Sequence, residues 1–143
     1  MSTTIDKEAV NCAYEEVRDD NSPITWFTLH FNGTLIEIDS KGSDYQEFLS
    51  RFTDDERLFG YVRVTTGDEM SKRAKFAFIT WAGKDVSPIK KAKLSVDKAV
   101  VKLVIKNFAV EILAEDQHDI ALETVATALR KAGGANYGTG VSS

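Results

Sequence analysis

The stretch Lys75-Phe76-Ala77-Phe78-Ile79-Thr80-Trp81-Ala82-Gly83-Lys84-Asp85-Val86-Ser87-Pro88-Ile89 changes its structural period halfway along. Its first seven residues are mostly apolar, rich in aromatic and β-branched side chains, and predict a buried strand. Ala82-Gly83-Lys84 ends that strand. Ser87-Pro88 then starts a helix, with serine as cap and proline at the first helical position, where its missing N–H is not needed. The helical pattern runs to about Phe108 without a breaker, and Ile89, Ala92, Val96, Val100, Leu103 and Val104 form the expected buried stripe. Such a helix would be about 30 Å long at 1.5 Å per residue. A short strand over Val110 to Ala114 follows it.

Before this stretch, Asp6 caps a first helix whose inner face is Val10, Ala13, Tyr14 and Val17, at the i, i+3, i+4, i+7 spacing. Ile5 and Val10 sit at staple positions around that cap. Thr25 to Phe31 and Thr34 to Ile38 read as a hairpin closed by Asn32-Gly33, since a type I′ turn needs positive φ at both central residues. Ser43 and Gln46 suit a capping box for a short helix bearing Tyr45, Phe48, Leu49 and Phe52. Leu58 to Val64 is a further strand, and Thr66-Gly67-Asp68-Glu69 begins a loop. Beyond Ala114, a last helix is expected from about His118 to Ala132, with Leu122, Val125 and Leu129 inward and Gly133-Gly134 as its stop. The order α β β α β β α β α predicts an α/β (α+β) domain, a central mixed sheet between helices. One domain is expected over residues 1–134, with a flexible tail over 135–143.

The chain has 143 residues, enough for one sizeable core, with 43% hydrophobic and 28% charged residues. No apolar leader follows Met1 and no run of 18 apolar residues occurs, so neither a secretory signal nor a transmembrane span is expected. A single cysteine, Cys12, cannot form an internal disulfide and suits a reducing compartment such as the cytosol; it is expected as a partly buried small apolar residue. Gly33, Gly42, Gly60, Gly67 and Gly83 are isolated and form no phosphate-binding loop. His30, His118 and Cys12 are too few and too widely spaced for a zinc site. Carboxylates cluster at Asp19-Asp20, Asp54-Asp55-Glu56 and Asp68-Glu69, each at a helix end, cap or turn; the middle group suits a helix N-terminus after Thr53. Nothing selects a catalytic pair, and no cofactor or metal is expected.

Charge is the more informative signal. From Lys72 to Lys106 there are ten bases (Lys72, Arg73, Lys75, Lys84, Lys90, Lys91, Lys93, Lys98, Lys102 and Lys106) against two acids, Asp85 and Asp97. The segment is therefore +8 and the rest −12, within a total of −4. Lys98, Lys102 and Lys106, spaced by four, fall on one face of the expected helix, and Lys91 joins them. A run of like charges at that spacing costs a few tenths of a kcal/mol per pair and points to an anionic partner. Nucleic acid is disfavoured by the overall negative charge and by the core-like placing of Phe76 and Phe78. An anionic membrane surface and an acidic protein surface both remain.

Several stretches resemble the coactosins, within the actin-depolymerising factor homology superfamily. They are Arg18-Asp19-Asp20, Thr53-Asp54-Asp55 with Arg57-Leu58-Phe59, Thr65-Thr66-Gly67-Asp68, Met70-Ser71-Lys72-Arg73-Ala74-Lys75-Phe76-Ala77-Phe78-Ile79-Thr80-Trp81, and Lys131-Ala132-Gly133-Gly134-Ala135-Asn136-Tyr137. The resemblance runs along nearly the whole chain. It implies a five- or six-stranded mixed sheet with helices on both sides, and a non-enzymatic monomer of the cytoplasm and cytoskeleton that binds actin filaments. It implies filament contact through Lys75, docking of the long helix carrying Lys90, Lys91, Lys93 and Lys98, and a filament-specific contact at Arg130 and Lys131; Lys72 and Arg73, at the start of the basic segment, are expected to join the contact at Lys75. Anionic phospholipid binding or an adaptor role of the last helix are the alternatives. Two departures bear on the less favoured partner, monomeric actin. Ala92-Lys93-Leu94 stands where cofilins carry a methionine, and Ser2-Thr3-Thr4 lacks their phosphorylatable Ser-Gly pattern.

Overall fold

The computed structural model describes residues 2–67 and 73–139, the last seven by their backbone alone. Its elements in chain order are β1 (Thr4–Ile5), α1 (Lys7–Arg18), β2 (Trp26–Asn32), β3 (Leu35–Gly42), α2 (Tyr45–Ser50), β4 (Arg57–Thr66), β5 (Arg73–Ala82), α3 (Pro88–Val101), β6 (Val110–Ala114), a 3-10 turn (Gln117–Ile120) and α4 (Leu122–Thr139). One six-stranded mixed sheet has the order β1-β3-β2-β4-β5-β6. Its interior pairs are antiparallel, while β1 with β3 and β5 with β6 are parallel.

Both faces of the central strands are covered, so both side-chain sets of each strand are apolar. On one face Phe27, Leu29, Phe59, Tyr61 and Phe78 meet Val10, Ala13, Tyr14 and Val17 of α1 and Leu94 and Val101 of α3. On the other, Trp26, Leu58, Val62, Ala77, Ile79 and Trp81 meet Phe48 of α2 and Val125 and Leu129 of α4. The two buried indoles find partners inside the core. The indole of Trp81 donates to the Thr53 carbonyl at 2.8 Å, and that of Trp26 to the Asp44 carbonyl at 3.0 Å.

Several expected boundaries shift. The hairpin loop is Gly33-Thr34, because Asn32 pairs with Leu35; Gly33 alone carries the positive φ, 64°. Asp44, not Ser43, caps α2, accepting from the Gln46 N–H. Thr53 to Glu56 forms a turn, not a helix start: the Glu56 N–H donates to the Thr53 carbonyl, and the chain passes directly into β4. β1 is an added strand, too short for any periodicity to reveal. Before α4 the chain takes a separate 3-10 turn capped by Asp116. α4 itself passes through Gly133-Gly134, since glycine costs a helix about 1 kcal/mol per residue and does not forbid it. Of the expected tail, residues 135–139 are therefore helical and 140–143 lie outside the described residues.

The long helix is the largest correction. Ser87 caps it as expected, but α3 ends at Val101. Its last bonds tighten to the i−3 pattern, Leu103 to Val100 and Val104 to Val101. Asn107 is then held from both sides: its N–H donates to the Tyr14 hydroxyl and its carbonyl accepts from the Tyr61 hydroxyl. Tertiary hydrogen bonds therefore turn the chain before Phe108, and Ala109 joins Phe76 to start β6.

Candidate interaction surfaces

α3 also sits in a different rotation from the one expected. Leu94, Asp97 and Val101 face the core. Ile89, Val96 and Leu103 are 81%, 73% and 60% exposed, and Ala92 and Ala99 are exposed with them. At 100° per residue, Ile89, Ala92, Val96 and Ala99 fall within an arc of roughly 80° on α3, and Leu103 follows in the tightened turn beyond Val101. Large apolar side chains in a continuous exposed line are unusual and mark a contact surface more than an isolated one would.

The lysines around this stripe are mostly engaged within the fold. Lys98 and Lys102 both reach Glu111 of β6 at 2.7 Å. Lys91 is 3.6 Å from Glu115, and Lys84 is 3.2 Å from Asp116. Lys93 is 3.2 Å from the buried Asp97 and donates to the Thr3 hydroxyl at 3.0 Å. The acids of the segment after α3 thus neutralise much of the +8 segment: Lys91, Lys98 and Lys102 do share one side of the helix, but that side is paired within the fold. Lys106 lies beyond α3, in the connection to β6. Lys90 is exposed at the first turn, over a cavity of about 310 Å³ that Asp55, Glu56, Arg57 and Asp85 also line.

A second group gathers elsewhere. Along β5, Lys75 alternates with Phe76 and so shares the face of Ala77, Ile79 and Trp81, the face covered by α4. Its ammonium donates to the Leu129 carbonyl of α4 at 3.4 Å. Arg130 and Lys131 follow directly in α4, both exposed, and Arg73 at the start of β5 is exposed on the Lys75 side. Lys72 lies outside the described residues. The structure therefore brings Lys75 to Arg130 and Lys131, and separates it from the α3 lysines by the thickness of the sheet. The start of α3 is a further 23 Å or so along β5, at about 3.3 Å per residue.

The sequence reading missed the stripe because its residues looked like a buried face. It missed the ion pairs because their acids follow the basic segment rather than alternating within it. A spacing signal existed, since Lys84, Lys91 and Lys98 repeat every seven residues. Cys12, expected partly buried, is exposed on α1. His30 contacts Glu37 at 3.0 Å on the β2–β3 hairpin. Among the described residues no group of three His, Cys, Asp or Glu is placed to hold a metal, and no helix is long and apolar enough to cross a membrane.

Residues 2–130 match the family described as cofilin/tropomyosin-type actin-binding protein. The chain is 50% identical over 137 residues to the coactosin-like protein of Mus musculus, covering 96% of each. It is 40% identical over 131 residues to the coactosin of Dictyostelium discoideum, covering 90% of each. Its fold superimposes on a crystal structure of human coactosin-like protein with a TM-score of 0.89 at 46% identity, over 91% of this chain and 99% of that one. The solution structure of mouse coactosin, described as an actin filament binding protein, matches with a TM-score of 0.79 at 50% identity and 96% coverage of both chains.

Proposed function

The chain belongs to the family of cofilin/tropomyosin-type actin-binding proteins, and from that premise we propose that it binds along the sides of actin filaments, as a non-enzymatic component of the cytoplasmic actin cytoskeleton. The observation that carries the mode of binding is the exposed apolar stripe of α3. Ile89, Val96 and Leu103, with Ala92 and Ala99 between them, offer a docking ridge whose energy comes from burial, at about 25 cal/mol per Å² of apolar surface. Lys90 stands at its first turn as a charge for an acidic partner surface, and Lys91, Lys93 and Lys98 flank it as groups already paired within the fold.

The second group, Arg73, Lys75, Arg130 and Lys131, with Lys72 preceding it in sequence, lies across the sheet from the stripe. Two contact surfaces on opposite faces suit a partner made of repeated subunits, one surface to each neighbour, better than a single actin monomer. Exposed bases there steer encounter and orient the complex, while the ridge holds it.

Co-sedimentation with actin filaments over rising salt tests this, run beside a monomer-binding assay and flotation with anionic phospholipid vesicles. The expected result is pelleting with filaments, moderate weakening as salt screens the exposed charges within about 8–10 Å, and little vesicle binding. Flotation with vesicles in the absence of pelleting would overturn it.

A further inference from the structure

We propose that Asp97 is a positioning residue of the docking surface: it ties down Lys93 at the edge of α3 and, through Lys93, fixes the N-terminal strand along the rim of the α3 stripe. The functional half of this inference rests on α3 being the docking helix; the structural half does not.

Asp97 lies on the core side of α3, between Leu94 and Val101, and is only 3% exposed. A carboxylate among apolar side chains is stable only if paired. Among the described residues its one charged partner is Lys93, a helical turn earlier, at 3.2 Å from Oδ2 and 3.4 Å from Oδ1. Oδ2 has no well-aligned hydrogen bond of its own, so the carboxylate depends on that ammonium.

Lys93 has a second task. Its ammonium donates to the Thr3 hydroxyl at 3.0 Å. Thr3 precedes β1, a two-residue strand held to the sheet by Thr4 N–H to the Thr34 carbonyl and Asp6 N–H to the Ile36 carbonyl, both at 2.9 Å. So short a strand has little hold of its own, and Lys93 is its polar link to α3. At 100° per residue, Lys93 stands roughly 40° from Ile89 around the helix, between the exposed stripe and Asp97. The clasp therefore places Thr3 beside the docking ridge.

The same geometry removes Lys93 from the set of partner contacts. To meet an acid on another protein it would have to abandon a buried carboxylate, which costs more than an exposed ion pair returns. Lys93 acts on docking by placing the N-terminal strand, not by touching the partner.

Amide hydrogen exchange on the free protein, followed by filament co-sedimentation of the same preparations, tests the inference. Three variants are compared with wild type: Asp97→Asn, Lys93→Met and Thr3→Val. Thr3→Val deletes only the hydroxyl link and leaves the core untouched, so it serves even if Asp97→Asn fails to fold. The expected result is exchange at Thr4 and Asp6 at least tenfold faster in each folded variant, with exchange in the middle of α3 unchanged in Thr3→Val. Filament affinity should fall several-fold in Thr3→Val and Lys93→Met, with the salt dependence of wild type retained. Unchanged exchange at Thr4 and Asp6 in Thr3→Val and Lys93→Met would overturn the clasp. A Lys93→Met protein whose binding becomes less salt-dependent would overturn the claim that Lys93 avoids the partner. Wild-type protein that fails to pellet with filaments would sink the functional reading while the exchange result still decides the clasp.

Discussion

Glu111 on β6 holds the ammonium groups of Lys98 and Lys102, each at 2.7 Å. Burial alone would raise the affinity of its carboxylate for a proton, but the hydrogen bond from Lys102 and the ion pairing with Lys98 outweigh burial and keep it below the usual carboxylate range. A group whose pKa is lower in the folded state stabilises that state above the pKa it has when unfolded, about 4.3 for glutamate. That stabilisation is lost as pH falls from there through the lowered value. Glu111→Gln should therefore melt at a lower temperature than wild type at pH 7, by about 1 kcal/mol of stability. The two should converge as pH falls through that lowered value, and equal melting temperatures at pH 7 would show that the pairing contributes nothing. Gly83 poses a steric case. A Cβ there would lie 2.1 Å from the Asp54 carbonyl oxygen, because the Gly83 N–H bonds Glu56 and the Asp85 N–H bonds Asp54 across the same close approach. Gly83→Ala should cost at least 1–3 kcal/mol, the range for overpacking, in a denaturant titration. Read along the chain, Gly83 is one turn glycine among several; its distinguishing neighbour is 29 positions away.

At the scale of the element, α3 shows what periodicity can and cannot decide. Its Ser87 cap and its Pro88 start were legible, because capping is local chemistry. Its buried side was not, because the helix has two apolar faces. Leu94 and Val101 make one; Ile89, Ala92, Val96 and Ala99, continued by Leu103 in the turn that follows, make the other. A helical pattern with two candidate faces does not say which one meets the sheet. The phase is set by tertiary packing, here with the charged Asp97 carried inside on its tie to Lys93. The strands were more legible: the expected spans of β4 and β5 lie within the observed ones, since both faces of these central strands are largely buried and apolar, and the edge strand β6 has the expected bounds. The stripe also yields the sharpest mutational test. Val96→Asp changes a side chain that is 73% exposed, so stability should shift by no more than about 0.5 kcal/mol. Loss of its burial at an interface, about 1.5–3 kcal/mol, should weaken filament binding by roughly 10- to 100-fold. A Val96→Asp protein that pellets like wild type would remove the stripe from the contact.

For the whole molecule, the sheet acts as a partition. A strand turns successive residues to opposite faces, so Lys75 and Phe76, neighbours in sequence, serve different surfaces: Lys75 reaches α4, and Phe76 packs toward α1 and α3. A run of bases crossing such a strand cannot make one patch, however continuous it looks in the sequence. If the two surfaces meet different subunits of a filament, their contributions to binding are energetically independent. Sites more than 7–10 Å apart with no shared partner add within about 0.3–0.5 kcal/mol. Lys75→Ala combined with Arg130→Ala removes one half-buried and one exposed charge and should weaken pelleting by roughly 2- to 10-fold at moderate salt, with a shallower salt dependence. Adding Val96→Asp to that variant should multiply the two losses, so that the triple variant falls within about a factor of two of their product. The measurement is a binding isotherm by co-sedimentation for wild type, the Lys75/Arg130 double variant, Val96→Asp and the triple variant at one ionic strength. A triple variant no weaker than Val96→Asp alone would mean that the β5–α4 surface makes no separate contact. The ridge of α3 would then carry the binding by itself.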